Sequence, residues 1–217
     1  MVWEASAEFS EVSAVASGEV GGARFFWVAK RIFDICGAVF LLPVLAVYVV
    51  LLSVLNPFLN QGSLFFVQIR MGRGCRPFKA YKFRTMRAVE VIERGADDPI
   101  EHDRITPFGR FLRKTRIDEL PQAFNVLRGD MSLIGPRPDY INHARVYLRQ
   151  IPEYRHRYEV RPGISGYSQV NLGYAVGTEA TRQKARADIH YIRNAGFAMD
   201  AGLVAKTVST ILLRAGE

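Results

Sequence analysis

Two adjacent carboxylates, Asp118 and Glu119, follow an arginine-rich stretch, with Pro121 close behind them. Neighbouring side chains on a helix point about 100° apart, so this pair cannot flank one bond from opposite sides as glycosidase carboxylates do. One nucleophile and one metal ligand fit better. A carboxylate that attacks phosphorus gives an acyl phosphate, and Mg²⁺ could hold two anions together. The dipeptide alone also fits a helix cap, because Asp is common at that position.

The residues before the pair predict a helix that starts at Thr106-Pro107, an N-cap followed by proline in the first turn. Its 3.6-residue period gives it two faces. The apolar face carries Phe108, Phe111 and Leu112, and the basic face carries Arg110, Arg113 and Lys114. The basic face is either a solvated surface or a face directed at phosphates or lipid headgroups. A second helix is predicted from about Asp118 to Gly129, with Pro121 tolerated in its first turn.

The remaining pattern indicates an α+β chain that is mainly α-helical with a small β-hairpin. Alternating apolar residues on both sides of a glycine-rich turn predict the hairpin. The predicted strands are residues 64–69 and 77–84, the later helices are 139–150 and 178–194, and the stiff turns are 135–138 and 161–166. The amphipathic segment 200–213 is predicted to lie on a membrane surface.

Residues 35–55 contain no charged side chain and are long enough to enter a bilayer. Basic residues flank the segment on both sides: Arg24, Lys30 and Arg31 before it, and Arg70, Arg73, Arg76, Lys79, Lys82 and Arg84 after it. The positive-inside rule places both flanks in the cytoplasm, so a simple span would violate the rule at one end. Pro43 favours a break in the segment. We therefore predict a re-entrant helix-break-helix, with a kinked single span as the alternative.

The charge distribution divides the chain of 217 residues, whose net charge is +8. Residues 1–23 carry four Glu and no Lys or Arg, and predict a mobile N-terminal tail. Residues 24–60 form a basic lead-in and the re-entrant helix, and residues 61–217 a cytoplasmic catalytic domain with interfacial helices. The basic surplus favours phosphates, anionic headgroups or nucleic acid as partners. Cys36 and Cys75 form no disulfide framework or metal-type spacing, which fits a reducing cytoplasm.

Four stretches together resemble the bacterial sugar transferase family, the monotopic phosphoglycosyl transferases. They are KRIFDICGA (30–38), KFRTM (82–86), DRITPFGRFLRKTRIDELPQAFNVLRGDMSLIGPRP (103–138) and RPGISGYSQV (161–170). The resemblance covers about residues 27–213 and includes the proline-broken apolar helix. Since no large membrane domain precedes the matched part, we expect a minimal form of the family.

This resemblance implies transfer of a phospho-sugar from a nucleoside diphosphate sugar, usually a UDP-sugar, to polyprenyl phosphate (undecaprenyl phosphate), with UMP released. Such a reaction initiates the assembly of exopolysaccharide or another surface glycan. It implies a monotopic enzyme on the cytoplasmic face of the inner membrane, in contact with membrane lipids and with no nucleic acid partner. A homo-oligomer stays open, as does the identity of the sugar.

The resemblance also assigns roles to residues. It implies that Asp118 is the nucleophile, which forms a phospho-sugar intermediate in a ping-pong cycle, and that Glu119 and Asp118 hold Mg²⁺. The residues assigned to the substrate are Lys82, Arg113, Arg137 and Arg161, of which Arg161 could instead cap a turn. Guanidinium groups pair bidentately with phosphate oxygens, which suits these positions.

The sequence departs from the family pattern at residues 171–174 and 195–196, and these departures bear on the sugar rather than on the reaction class. Two other classes of protein fit part of the sequence. A membrane-tethered nucleic-acid binder accounts for the basic charge but gives no reason for Asp118-Glu119. A non-catalytic regulator of the same fold would most simply have lost Asp118.

Overall fold

The computed structural model describes residues 24–60, 62–89, 95, 98, 101–172 and 177–212. The predicted tail 1–23 and residues 173–174 of the departure at 171–174 lie outside the described residues. The helices are α1 (Arg24–Leu59), α2 (Pro107–Lys114), α3 (Ala123–Arg128), α4 (Ile141–Gln150), α5 (Tyr167–Leu172), α6 (Thr178–Asn194) and α7 (Phe197–Leu212). The strands are β1 (Phe65–Met71), β2 (Pro77–Phe83), β3 (Ser132–Ile134) and β4 (Gly163–Ser165). The predicted mainly helical fold with a small hairpin is confirmed.

The N-terminal helix α1 is 36 residues long and, by length and composition, could cross a membrane. Only 17% of the residues in its apolar 18-residue window are buried, whereas the core helix of a soluble protein is mostly buried. The predicted interruption is not seen, since α1 is one helix with Pro43 and Pro57 inside it. A proline removes a single backbone donor, and the helix continues on both sides of it.

One stripe of α1 packs against the rest of the molecule. Its buried members recur at intervals of four or seven residues, on one helical face: Phe26, Lys30, Asp34, Ala38, Leu45, Leu52 and Asn56. Lys30 Nζ donates to Asp200 Oδ2 of α7 at 2.6 Å. The carboxylate of Asp34 accepts from Ser132 Oγ and from the Leu133 N–H of β3, both at 2.9 Å. These buried charges are partnered, so α1 is fixed to the body by specific contacts.

The predicted hairpin is confirmed: β1 and β2 pair antiparallel, from Phe65 opposite Phe83 to Met71 opposite Pro77. A short 3₁₀ turn, Arg73–Cys75, joins the two strands. Because side chains alternate between the faces of a strand, Arg70 of β1 and Lys82 of β2 lie on the same face. That face packs against the segment that carries Asp118 and Glu119.

The predicted start of α2 is confirmed: Thr106 Oγ1 accepts a hydrogen bond from the Gly109 N–H at 2.9 Å. Gly109 also allows α2 to approach the strand end closely, because a Cβ there would lie 2.0 Å from the carbonyl oxygen of Thr85. The predicted second helix begins as the 3₁₀ segment Ile117–Gln122 and continues as α3. It ends at Gly129, whose φ of 89° suits a glycine C-cap.

The C-terminal half contains a second small sheet that the sequence did not indicate. The predicted stiff turn 161–166 contains β4, which pairs in parallel with β3. Each strand has three residues, too few for a recognisable alternation. Helix α6 has the predicted bounds, α4 starts two residues later than predicted, and α7 starts earlier. The 3₁₀ segment Pro152–Tyr158 packs on α4 and α6 around a tyrosine-rich core.

Candidate active site

Asp118 and Glu119, called here the carboxylate pair, lie in the first turn of the 3₁₀ segment Ile117–Gln122. Arg116, directly before this segment, has a φ of 58° and a left-handed backbone. This conformation is disfavoured for a residue with a Cβ, by about 1–2 kcal/mol, and the surrounding contacts must hold it. Both carboxylates are buried, with side-chain exposures of 9% for Asp118 and 5% for Glu119.

Glu119 is neutralised from several directions. Its Oε1 accepts from Lys82 Nζ at 2.6 Å and from Arg137 Nη2 at 3.0 Å. Arg116 Nη1 lies 3.8 Å from its Oε2. Burial opposes ionisation of this carboxyl, but the neighbouring cations outweigh burial and hold the pKa of Glu119 well below its ordinary value. Glu119 is therefore a fixed anion that organises the cations around it.

The negative charge of Asp118 is less well compensated by nearby cations than that of Glu119. Lys82 Nζ lies 3.9 Å from its Oδ2, which is beyond hydrogen-bond distance. Burial raises the pKa of Asp118, the neighbouring charge of Glu119 adds to that effect, and the cations Lys82 and Arg113 oppose it. The two adjacent carboxylates thus differ in their electrostatics, as expected if they have different roles.

The basic face predicted for α2 is not simply solvated. Arg113 is half-buried, and its Nε donates to Thr85 Oγ1 at 2.9 Å. Its positive charge helps to lower the pKa of Asp118. The structure therefore brings Lys82, Arg113 and Arg137 together around the carboxylate pair. Their contact with substrate phosphates stays a prediction.

Arg161 is placed elsewhere. Its Nε donates to the Gly129 carbonyl at 2.9 Å, and its charged neighbours are Arg31, Arg73 and Asp34. Burial lowers its pKa, and the two arginines add to that effect. Among the described contacts, none joins Arg161 to the carboxylate pair. Its contact resembles the turn-capping alternative, and its part in substrate binding stays a prediction.

Arg70 is a site residue that the sequence analysis did not assign. It interacts electrostatically with Arg137 and both members of the carboxylate pair, and burial together with Arg137 lowers its pKa to about 10. Burial likewise lowers the pKa of Lys82 to about 8, against the attraction of Glu119. The signal was present in the two-residue period of the hairpin, which puts residue 70 on the same face as residue 82.

The protein supplies only some of the oxygen ligands that Mg²⁺ requires. Among the described residues, no group of three or more His, Cys, Asp or Glu could hold a metal ion. Mg²⁺ is commonly bound by one or two carboxylates together with substrate phosphates. Glu119 Oε1 already accepts from two cations, which leaves its Oε2 and the Asp118 carboxylate as oxygen donors. The residues therefore fit Mg²⁺ shared with a phosphate substrate rather than an all-protein cage.

Comparison with known proteins gives one family. The family model described as bacterial sugar transferase matches residues 25–214, which is most of the chain. A UDP-N-acetylgalactosamine-undecaprenyl-phosphate N-acetylgalactosaminephosphotransferase of Aeromonas hydrophila is 45% identical over 184 residues, covering 84% of this chain and 43% of the relative.

Two other relatives are covered over more of their length. A UDP-glucose:undecaprenyl-phosphate glucose-1-phosphate transferase of Caulobacter vibrioides is 41% identical, over 84% of this chain and 69% of the relative. The exopolysaccharide production protein PSS of Rhizobium leguminosarum bv. phaseoli is 36% identical, over 86% of this chain and 96% of the relative. The chain thus spans less than half of one relative and nearly all of another.

The unequal electrostatics of the carboxylate pair predict opposite effects of two isosteric substitutions on stability. The raised pKa of Asp118 means that its charge costs stability above that pKa, and that this cost disappears as the pH falls below the ordinary value of 3.8. The lowered pKa of Glu119 means that its charge stabilises the fold above the ordinary value of 4.5. At pH 7, Asp118→Asn should therefore maintain or raise the melting temperature.

Glu119→Gln should lower stability at the same pH by about 3 kcal/mol, because it leaves Lys82 and Arg137, both partly buried, without their charged partner. Both variants are measured by thermal unfolding in detergent with EDTA, so that a bound metal does not contribute. A loss of stability in Asp118→Asn as large as that in Glu119→Gln would contradict the assignment of unequal environments.

Proposed function

The chain belongs to the bacterial sugar transferase family, and we propose that it transfers a sugar-1-phosphate from a UDP-sugar to undecaprenyl phosphate and releases UMP. This reaction is the first step in building an exopolysaccharide or another surface glycan. The observation that carries the proposal is the buried carboxylate pair with Lys82, Arg113 and Arg137 around it. Phosphate-binding cations beside a carboxylate nucleophile suit phosphoryl transfer.

In the first half-reaction, an Asp118 carboxylate oxygen attacks the β-phosphorus of the donor. The bond from that phosphorus to the bridging oxygen breaks, and UMP leaves with the electron pair. The sugar phosphate is then joined to Asp118 as an acyl phosphate. The environment of Asp118 supports this role, because no hydrogen bond from Lys82 reaches its carboxylate, in contrast to the firmly held Glu119.

In the second half-reaction, a phosphate oxygen of the lipid acceptor attacks the same phosphorus, and the bond to Asp118 breaks. The product is a polyprenyl diphosphate sugar, and the Asp118 carboxylate is regenerated. The cations Lys82, Arg113 and Arg137 neutralise the charge that develops on the phosphoryl oxygens in both steps. Mg²⁺, held by Asp118 and Glu119 together with the donor phosphates, would supply further neutralisation of phosphate charge.

The acceptor is proposed to reach the carboxylate pair along α1. A groove of about 410 Å³ is lined by aliphatic side chains of α1 and by Phe124 of α3. Leu42, Leu45 and Val49 from this groove belong to the same apolar cluster as Ile117 and Leu120, which flank the carboxylate pair. An apolar surface that leads to a cationic site is complementary to a lipid with a phosphate head.

Re-entry of α1 on the cytoplasmic side is likewise part of the proposal, as one continuous helix that contains Pro43 rather than as the two helices separated by a break that the sequence predicted. Both ends of the helix contact the same body: Lys30 near the start bonds Asp200, and Asn60 just past the end accepts from Thr106 Oγ1 at 2.7 Å. A helix that crossed the bilayer would place these two ends on opposite sides of it. The basic flanks support the same arrangement. Helix α7, which exposes apolar residues such as Phe197 and Val208, would lie at the interface.

The reaction is tested with purified protein in detergent, given Mg²⁺, undecaprenyl phosphate and a panel of UDP-sugars, with UMP measured. We expect UMP from one or a few of the sugars. Asp118→Asn should abolish UMP release because the amide cannot act as the nucleophile, while its isosteric shape preserves the fold. Arg113→Ala and Arg137→Ala should each cause a large loss of turnover and only a small change in the melting temperature.

The matched control is Arg110→Ala, which removes an exposed arginine from α2, the helix that carries Arg113. It should leave turnover within about twofold, because an exposed side chain outside the site carries little of the transition-state stabilisation. Wild-type turnover in Asp118→Asn would contradict the nucleophile, and release of UDP instead of UMP would contradict the reaction class.

Re-entry is tested by labelling a cysteine at position 2 in a variant that lacks Cys36 and Cys75. We expect Val2→Cys to be protected from a membrane-impermeant maleimide in intact cells and labelled after lysis. Glu217→Cys, at the other end of the chain, serves as the control and should behave in the same way. Labelling of position 2 but not position 217 in intact cells would instead establish a single span.

A further inference from the structure

Arg157 is a buried arginine in the 3₁₀ segment Pro152–Tyr158, with a side-chain exposure of 5%. Its guanidinium donates to the backbone of the loop that carries Arg137. We propose that Arg157 is a positioning residue for Arg137, and that it fixes the Arg137 guanidinium against Glu119 through the loop backbone. The inference rests on the proposed function, because it assigns Arg137 to the reaction.

The carbonyl groups of this loop accept hydrogen bonds from side chains of other elements. Pro136 and Pro138 flank Arg137 and have no N–H of their own to donate. The carbonyl of Arg137 accepts from Arg157 Nη2 at 3.0 Å, and the carbonyl of Pro138 accepts from Arg70 Nη1 at 2.7 Å. Two arginines from different elements therefore hold consecutive carbonyls of the loop.

The far end of the loop is held by the same guanidinium. Arg157 Nη1 donates to the Asp139 carboxylate, which also accepts from the Tyr154 hydroxyl at 2.5 Å. The Asp139 carbonyl accepts from the Met71 N–H of β1 at 3.0 Å. Arg157 thus fixes both residue 137 and residue 139, so the backbone at Arg137 has little freedom to turn.

Arg157 is itself oriented by its remaining contacts. Its Nε donates to Asp188 Oδ2 of α6 at 2.8 Å, and its Cζ lies 4.7 Å from the centre of the Tyr154 ring. A guanidinium presents its donors in a rigid fork, so one bond to Asp188 determines where the others point. The chain of contacts runs from α6 through Arg157 to the loop and ends at Glu119, which Arg137 contacts at 3.0 Å.

A lysine cannot reproduce this fork, so Arg157→Lys should keep a positive charge but release the loop. We expect it to lower kcat by about tenfold or more with a smaller change in the KM of the UDP-sugar, since misplacement of a catalytic group by about 1 Å can cost about 100-fold. Tyr154→Phe keeps the ring and removes one bond to Asp139, and should give a smaller loss in the same direction. Tyr154→Phe replaces Arg157→Lys in the kinetic test if the Arg157→Lys variant does not fold.

A double-mutant cycle separates positioning from a general structural role. If Arg157 acts through Arg137, then Arg157→Lys, or Tyr154→Phe in its place, should change kcat by less than about twofold in an Arg137→Ala background. An equal fold loss with and without Arg137 would overturn the proposal.

A second readout needs no substrate. Hydrogen exchange of the Met71 amide, which donates to the loop at Asp139, should be faster in Arg157→Lys than in the wild type. Tyr191→Phe, which removes a 2.8 Å bond to Asp200 in another buried polar cluster, should leave it unchanged. Unchanged exchange in Arg157→Lys would overturn the proposal even if the wild type proved to act on a different substrate.

Discussion

Burial of two adjacent carboxylates requires cations from several parts of the chain to converge on one place. Removing an ionised carboxylate from water costs several kcal/mol unless it is paired. Glu119 meets this requirement with Lys82 from β2 and Arg137 from the proline-flanked loop, while Arg116 lies beside it in a left-handed backbone. The hairpin, the 3₁₀ segment and the loop must therefore be placed correctly at the same time. We interpret the rest of the fold as the framework that places these three segments.

The cations do not compensate the two carboxylates equally, and this inequality agrees with the different roles that we propose for them. Glu119 receives the short contacts and is a fixed anion, whereas Asp118 is buried with its nearest lysine nitrogen 3.9 Å away. A less compensated carboxylate is the better candidate for the nucleophile. Glu119 holds Lys82 and Arg137 in place. In the proposed reaction these cations are therefore already positioned for a phosphate, which would limit the reorganisation needed.

Local patterns in the sequence predicted the hairpin, the N-cap at Thr106 and the bounds of α6, because each depends on residues close together in the chain. The resemblance to a family supplied the roles that we propose for Asp118 and the cations around it. The β3–β4 pair was missed because three-residue strands show no period. Arg157 was missed because its partners Asp139, Arg137 and Asp188 lie 18 to 31 residues away, on elements that only the folded chain brings together.

The proposed mechanism requires a covalent bond between Asp118 and the phospho-sugar. The most direct measurement incubates the protein with Mg²⁺ and its UDP-sugar without the lipid acceptor, quenches the reaction and identifies modified peptides by mass spectrometry. We expect a mass increase of one sugar phosphate on the peptide that contains Asp118, and we expect it to disappear when undecaprenyl phosphate is added before the quench. No adduct on Asp118 from a donor that the enzyme turns over, or an adduct on another residue, would contradict it.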